Sequence, residues 1–248
     1  MAAYDFTAHR LFVDEPLAPG TSLTLGRDQA NYLVNVLRLG AETRFYVFNG
    51  RDGEFEAHLA GGSRKAPGVA VGPQVRPQPA AGDLWYLFAP LKAARLDYMV
   101  QKAVEMGASR LVPVMTHRTV ASRVNLDRMR ANAVEAAEQC GILSVPDVAE
   151  EAPLPRILAT WPAERTMIFC DEDAPENNPL AALATLGKKS PLAVLIGPEG
   201  GFDASERAEL LNLPNVLRLS LGPRVLRADT AAVAALALVQ AALGDIGG

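Results

Sequence analysis

Two stretches of this chain combine glycine, proline and charged residues in a way that can do chemistry. The first is "LIGPEGGF", which runs through Leu195, Ile196, Gly197, Pro198, Glu199, Gly200 and Gly201 to Phe202. The second is "LSLGPRVLRADT", beginning Leu219, Ser220, Leu221, Gly222 and ending Val225, Leu226, Arg227, Ala228, Asp229, Thr230. Glycine lets backbone approach a bound group closely, and proline fixes a turn. Neither stretch is G-x-G-x-x-G or G-x-x-x-x-G-K-[ST], so neither reads as a phosphate cradle. They offer Glu199, Arg224, Arg227 and Asp229 beside a hydrophobic segment. A carboxylate in the first turn of a helix is stabilised by the positive helix end. An arginine there can orient a phosphate or an anionic base. The first stretch taken alone is equally a tight strand-to-helix turn, with Asp203 and Glu206 spaced as a capping box. The pair of stretches points to a ligand site.

The surrounding pattern says what positions them. From Leu84 onward, apolar runs alternate with helical periodicity. "LWYLFAPL", "RLVPVMT", "TMIFCD", "PLAVLIG" and "VLRLSL" read as strands. "RLDYMVQKAVEMG" and "NLDRMRANAVEAAEQCG" read as helices, the first stopped by Gly107, the second capped by Asn125 and stopped by Gly141. The last helix, about Asp229 to Leu243, is almost wholly Ala, Val and Leu and is expected to be buried all round. Strands apolar on both faces belong to a parallel sheet covered by helices on both sides, where ligands sit at the carboxyl ends of the strands. The expected class is therefore α/β.

Residues 1–75 are β-rich, with a hairpin signal in "FNGRDGEF" (Phe48 to Phe55). One helix, Asp28 to Leu37, has an apolar stripe of Tyr32, Leu33, Val36 and Leu37. A small β-barrel with one helix fits this pattern. Residues 76–83, "RPQPAAGD", read as a linker to the domain spanning residues 84–248.

The chain has 248 residues, of which 49% are hydrophobic and 21% charged, an ordinary globular composition. "MAAYDFTAHRLF" at the start has no apolar core of a secretory signal. The longest apolar run, Ala231 to Leu243, is shorter than the ~20 residues that cross a bilayer. A cytoplasmic protein without a membrane segment is expected. Cys140 and Cys170, with His9, His58 and His117, give no metal-ligand spacing, so no metal is expected. Net charge is −4, but residues 84–130 carry eight bases against three acids. That strip is either an RNA-facing surface or a solvated helix face.

At this point the sequence resembles the SPOUT methyltransferases, and within them the small-subunit ribosomal RNA uracil-N3 methyltransferases (the RsmE family). The resemblance rests on "LIGPEGGF" followed by "LGPRVLRADTA". "HRLFV", "ANYLVNVLRL", "QKAVEMGASRLVPV" and "EAAEQCGILSVP" extend it over essentially the whole chain. It implies a PUA-like N-terminal barrel that helps dock RNA and a C-terminal SPOUT domain tied in a trefoil knot. It further implies bound S-adenosylmethionine, read by the backbone of Leu195–Gly201 and Leu219–Leu226, and a homodimer acting on ribosomal RNA of the small subunit, naked or assembled. Methylation at uracil N3 needs the donor methyl in line and the imide proton removed. Asp229 is the candidate base, alternatively a helix N-cap. Arg227 is the candidate orienter, alternatively an ion-pair partner of Glu199 or Asp229. His9, Arg10, Arg38, Arg118 and Arg123 are the candidate RNA contacts, and for His117 an ordinary histidine is the better reading. Many relatives have Arg-Thr-Glu-Thr where this chain has Arg227-Ala228-Asp229-Thr230, and often Arg where it has Ile142. Two alternatives stay open: a SPOUT enzyme with another RNA target, and a non-catalytic RNA-binding or ribosome assembly factor.

Overall fold

The structure, a computed structural model, describes residues 8–40, 43–63, 66–121, 123–176, 178–187 and 191–246. The chain divides into two compact units, Met1–Ala81 with Val134–Val145, and Gly82–Ala133 with Pro146–Gly248.

In the first unit the strands β1 (Arg10–Phe12), β2 (Ser22–Thr24), β3 (Phe45–Phe48), β4 (Glu54–Ser63) and β5 (Ala66–Arg76) form one sheet in the order β1-β3-β4-β5-β2. No β1–β2 pairing closes it among the described residues. The hairpin between β3 and β4 turns where the Asn-Gly and Asp-Gly pairs stand: Gly50 and Gly53 have φ of 77° and 92°, values that only glycine adopts without strain. Leu11, Val13, Leu33, Phe45, Val47, Phe55, Val69 and Val71 make the core.

The helix expected over Asp28–Leu37 takes another form. α1 covers Arg27–Asn31, and Tyr32–Val36 then continues as a π-turn, with Leu37 N–H donating to Tyr32 C=O at 2.9 Å. The wider winding rotates the stripe read at 3.6 residues per turn. Leu33 stays buried, whereas Tyr32 and Val36 face solvent.

Arg10, expected as an RNA contact, is a buried residue. Its Nε donates to Glu54 at 2.8 Å, and Arg76 donates to the same carboxylate at 2.7 and 2.9 Å. Removing the carboxylate would break a buried ion pair, a cost of roughly 3–5 kcal/mol. The exposed Arg44–Glu56 pair contributes about 0–1 kcal/mol by comparison.

The second unit holds a parallel sheet of β6 (Leu84–Phe88), β7 (Arg110–Met115), β8 (Asp147–Val148), β9 (Ala152–Pro153), β10 (Thr166–Cys170), β11 (Leu192–Ile196) and β12 (Val216–Leu219). The order is β12-β10-β11-β6-β7-β8, with β9 also on β7. Pro113 has no N–H to give, and it falls in the gap between the β8 and β9 ladders on β7, where none is needed. The helices are α2 (Ala93–Glu105), α3 (Leu126–Cys140), whose residues from Val134 onward belong to the first unit, α4 (Leu154–Ala159), α5 (Pro179–Leu183), α6 (Ala204–Leu211) and α7 (Ala228–Leu243). Asn125 caps α3 through its side chain, accepting from Arg128 N–H at 3.0 Å. All five residues of β11 are buried, as a central parallel strand requires.

α7 departs from the expectation of burial all round. Ala228, Ala232, Ala235, Leu236, Val239 and Leu243 are buried, while Ala231, Val233, Ala234, Ala237 and Leu238 are only partly covered. An apolar residue on every face does not by itself supply neighbours for every face.

Candidate functional site

β11 and β12 are consecutive in the chain, but β10 lies between them in the sheet. α6 therefore crosses over β10, and the two glycine loops open on either side of its carboxyl end. Asp171 stands at that end, its N–H donating to Leu219 C=O at 3.0 Å. Its buried carboxylate accepts from Arg207 at 2.9 Å and Arg218 at 2.7 Å.

The first loop is shaped mostly by the protein itself. Gly201 N–H closes a turn on Pro198 C=O at 2.9 Å, with φ of 69° at Gly201. A Cβ at Gly197 would come within 2.6 Å of the Phe202 ring, which packs edge-on against Phe169. Gly200 lies against Arg118, whose Nη1 donates to Gly200 C=O at 2.6 Å. Asp203 and Glu206 form the expected capping box on α6. His117 joins it: its N–H donates to Glu206 at 2.8 Å and its Nδ1 meets the Asp203 carboxylate. That contact raises the His117 pKa and holds the Asp203 carboxyl well below the usual carboxylate range. His117, Asp203 and Glu206 place ligand-type atoms within 4.8 Å of one another, and both carboxylates are already engaged in capping.

The second loop is open. Gly222 has φ of 94° with nothing within 4 Å of where a Cβ would stand. Among the described residues, the peptide groups of Leu221, Val225 and Leu226 make no hydrogen bond. Arg227 takes the N-cap position of α7; its C=O accepts from Ala231 N–H at 2.8 Å, and its exposed side chain has no hydrogen-bond or ion-pair partner among the described residues.

The ion pair weighed for Arg227 is made by another arginine. Arg95, in the first turn of α2, donates Nε and Nη2 to the two oxygens of Asp229 at 2.9 and 3.1 Å, and Nη1 to Glu199 at 2.6 Å. Asp229 is thus the second residue of α7 and half of a bidentate pair, not its N-cap. The hydrogen bonds from Arg95 hold its carboxyl below the ordinary value, and a carboxylate so held is a weak proton acceptor. Arg95 was visible in the sequence only as one base of the strip over residues 84–130. Lys102, Arg110, Arg128 and Arg130 of that strip are also in ion pairs. Arg123 is exposed and unpaired among the described residues, as are Arg38 and the side chain of His9 in the first unit. Arg38 sits at φ of 55°, unusual for a residue with a side chain, directly after the π-turn.

These features suit a ligand recognised by backbone. The free peptide groups of the second loop and the open space at Gly222 form a cradle that needs no polar side chains. The hydroxyl of Tyr86 on β6 is wholly buried and has no partner among the described residues.

Residues 78–240 match the RNA methyltransferase domain family, and residues 25–67 match the RNA methyltransferase PUA domain. The chain belongs to this family of RNA methyltransferases. It is similar to the ribosomal RNA small subunit methyltransferase E of Rickettsia conorii, 28% identical over 94% of this chain and 95% of that one. A Legionella pneumophila protein, solved with the cofactor SAM bound, superposes with a TM-score of 0.82 at 26% identity, covering 95% of this chain and 98% of its own. The Neisseria gonorrhoeae ribosomal RNA small subunit methyltransferase E, solved with S-adenosyl methionine, has the same fold: TM-score 0.82 and 22% identity over 94% of this chain and 97% of its own.

Proposed function

We propose that the chain is an S-adenosylmethionine-dependent methyltransferase acting on N3 of a uracil in small-subunit ribosomal RNA, working in the cytoplasm as a homodimer. The observation that carries this reading is the pair of glycine loops flanking the end of β10, in a chain of the RNA methyltransferase family, with peptide groups unclaimed at Leu221, Val225 and Leu226. The Rickettsia and Neisseria relatives bear the name of a small-subunit ribosomal RNA methyltransferase, and the Legionella and Neisseria structures contain the donor. In this reading the second unit is a SPOUT domain whose last segments are threaded as a trefoil knot.

The donor, when bound, supplies an electrophilic methyl on a sulfonium. The backbone of Leu195–Gly201 and Leu219–Leu226 holds it, and Gly222 leaves room for it. Arg227, its side chain unpaired among the described residues, reaches the acceptor and stabilises the charge that develops on the uracil oxygens as N3 gives up its proton to solvent water. Asp229, tied to Arg95, orders the first turn of α7 and does not take that proton. The partly covered apolar side of α7 supports the homodimer, since a second copy would remove it from water. In the first unit, Arg38 and His9 are the exposed groups for RNA; in the second, Arg123 is.

Calorimetry with S-adenosylmethionine, followed by methyl transfer to small-subunit ribosomal RNA, tests the reading. Donor binding and an N3-methyluracil product are expected. No binding at millimolar donor would overturn it in favour of a non-catalytic RNA-binding factor.

A further inference from the structure

The amino end of α2 runs against its own electrostatics. A helix N-terminus carries partial positive charge and favours acids. α2 has Lys92 at the N-cap with no side-chain cap, no acid in its first turn, and Arg95 as its third residue. The missing negative charge arrives from elsewhere: Glu199 from the first glycine loop and Asp229 from the start of α7, just beyond the second. Such local rule-breaking concentrates where function is served.

Arg95 uses its whole fork in this contact. Nε and Nη2 take Asp229, and Nη1 takes Glu199, with the guanidinium side chain one-third exposed. Among the described residues no other cation contacts either carboxylate. Glu199 follows β11 and Asp229 follows β12, strands that do not touch because β10 separates them. One rigid, planar cation therefore ties together two loops that the sheet leaves independent.

We propose that Arg95 is a positioning residue that couples the two glycine loops, setting the spacing at which they receive the methyl donor. This rests on the reading of those loops as the donor pocket. Without the guanidinium, each loop loses its link to the other and two carboxylates face the same empty place. A lysine cannot replace it fully, because one ammonium is not a fork.

Hydrogen exchange on the donor-free chain tests the coupling without any activity. Arg95→Ala should speed exchange at residues 197–203 and at 222–230 together, with Arg95→Lys between it and the wild type. Glu199→Gln should loosen the first segment and leave the second near wild type. It also serves as the second test if Arg95→Ala folds poorly. Calorimetry on the same proteins should show donor affinity weakened roughly ten- to hundredfold in Arg95→Ala, with KM for the donor rising more than kcat falls. Unchanged exchange at both segments in folded Arg95→Ala, or an unchanged first segment in Glu199→Gln, would overturn the coupling. A wild-type chain that binds no donor would overturn the donor reading instead, while the exchange data still decide the coupling.

Discussion

Arg118 donates to the carbonyl of Gly200 at 2.6 Å, tying the segment after β7 to the first glycine loop. The side chain expected to face RNA is spent on holding that loop. Arg118→Ala should weaken donor binding by about ten- to hundredfold, the range of one charged hydrogen bond. The salt dependence of RNA binding should keep its slope, because no phosphate contact is lost. A shallower slope with unchanged donor affinity would return Arg118 to the RNA surface.

Arg227 is the loop cation proposed to act on the acceptor: it stands at the N-cap of α7, and its side chain is free of the two acids that Arg95 holds. Arg227→Ala should lower turnover by about two to three orders of magnitude, with the melting temperature and donor affinity near those of the wild type. Steady-state kinetics at saturating donor reads this directly. Activity within a few-fold of wild type would remove Arg227 from the chemistry.

His117 titrates above the ordinary histidine value because Asp203 accepts from its ring. Its raised pKa means the pair stabilises the fold fully below about pH 6.5, and that contribution is lost as pH rises through the raised value. Asp203, held low, keeps its share until acid pH. An NMR titration should place the His117 midpoint above about 6.5, and Asp203→Asn, which still caps α6, should bring it back. An unshifted midpoint in the wild type would contradict the contact.

Glu138, in the first unit, is largely desolvated and pushed up to about 7, although Phe12 N–H donates to it. A carboxyl raised in the fold contributes stability below its unfolded value, lost as pH rises toward 7. Glu138→Gln should therefore raise the melting temperature at pH 8 and change little at pH 4. Equal effects at both would show that Glu138 is not protonated in the fold.

The loops were legible because glycine and proline punctuate apolar runs, and strand ends follow from that. The capping box at Asp203 and the helix stops at Gly107 and Gly141 are local rules, and the structure follows them. What escaped depends on distant partners. Arg95 meets residues 104 and 134 positions away, and nothing in its own neighbourhood signals either acid. Arg10 looked like a surface base because alternation cannot reveal that Glu54, on β4, neutralises it. The placement of β10 between β11 and β12 is a matter of strand order, to which periodicity is blind. α7 looked fully buried because composition records apolarity and not what covers it.

The activity proposed for this chain is methyl transfer to N3 of a uracil in small-subunit ribosomal RNA. Mass mapping of that RNA from a strain lacking the gene, with and without the gene restored, tests it most directly. One N3-methyluracil is expected to be lost on deletion and regained with the wild-type gene but not with Arg227→Ala. An N3-methyluracil unchanged by deletion would contradict it.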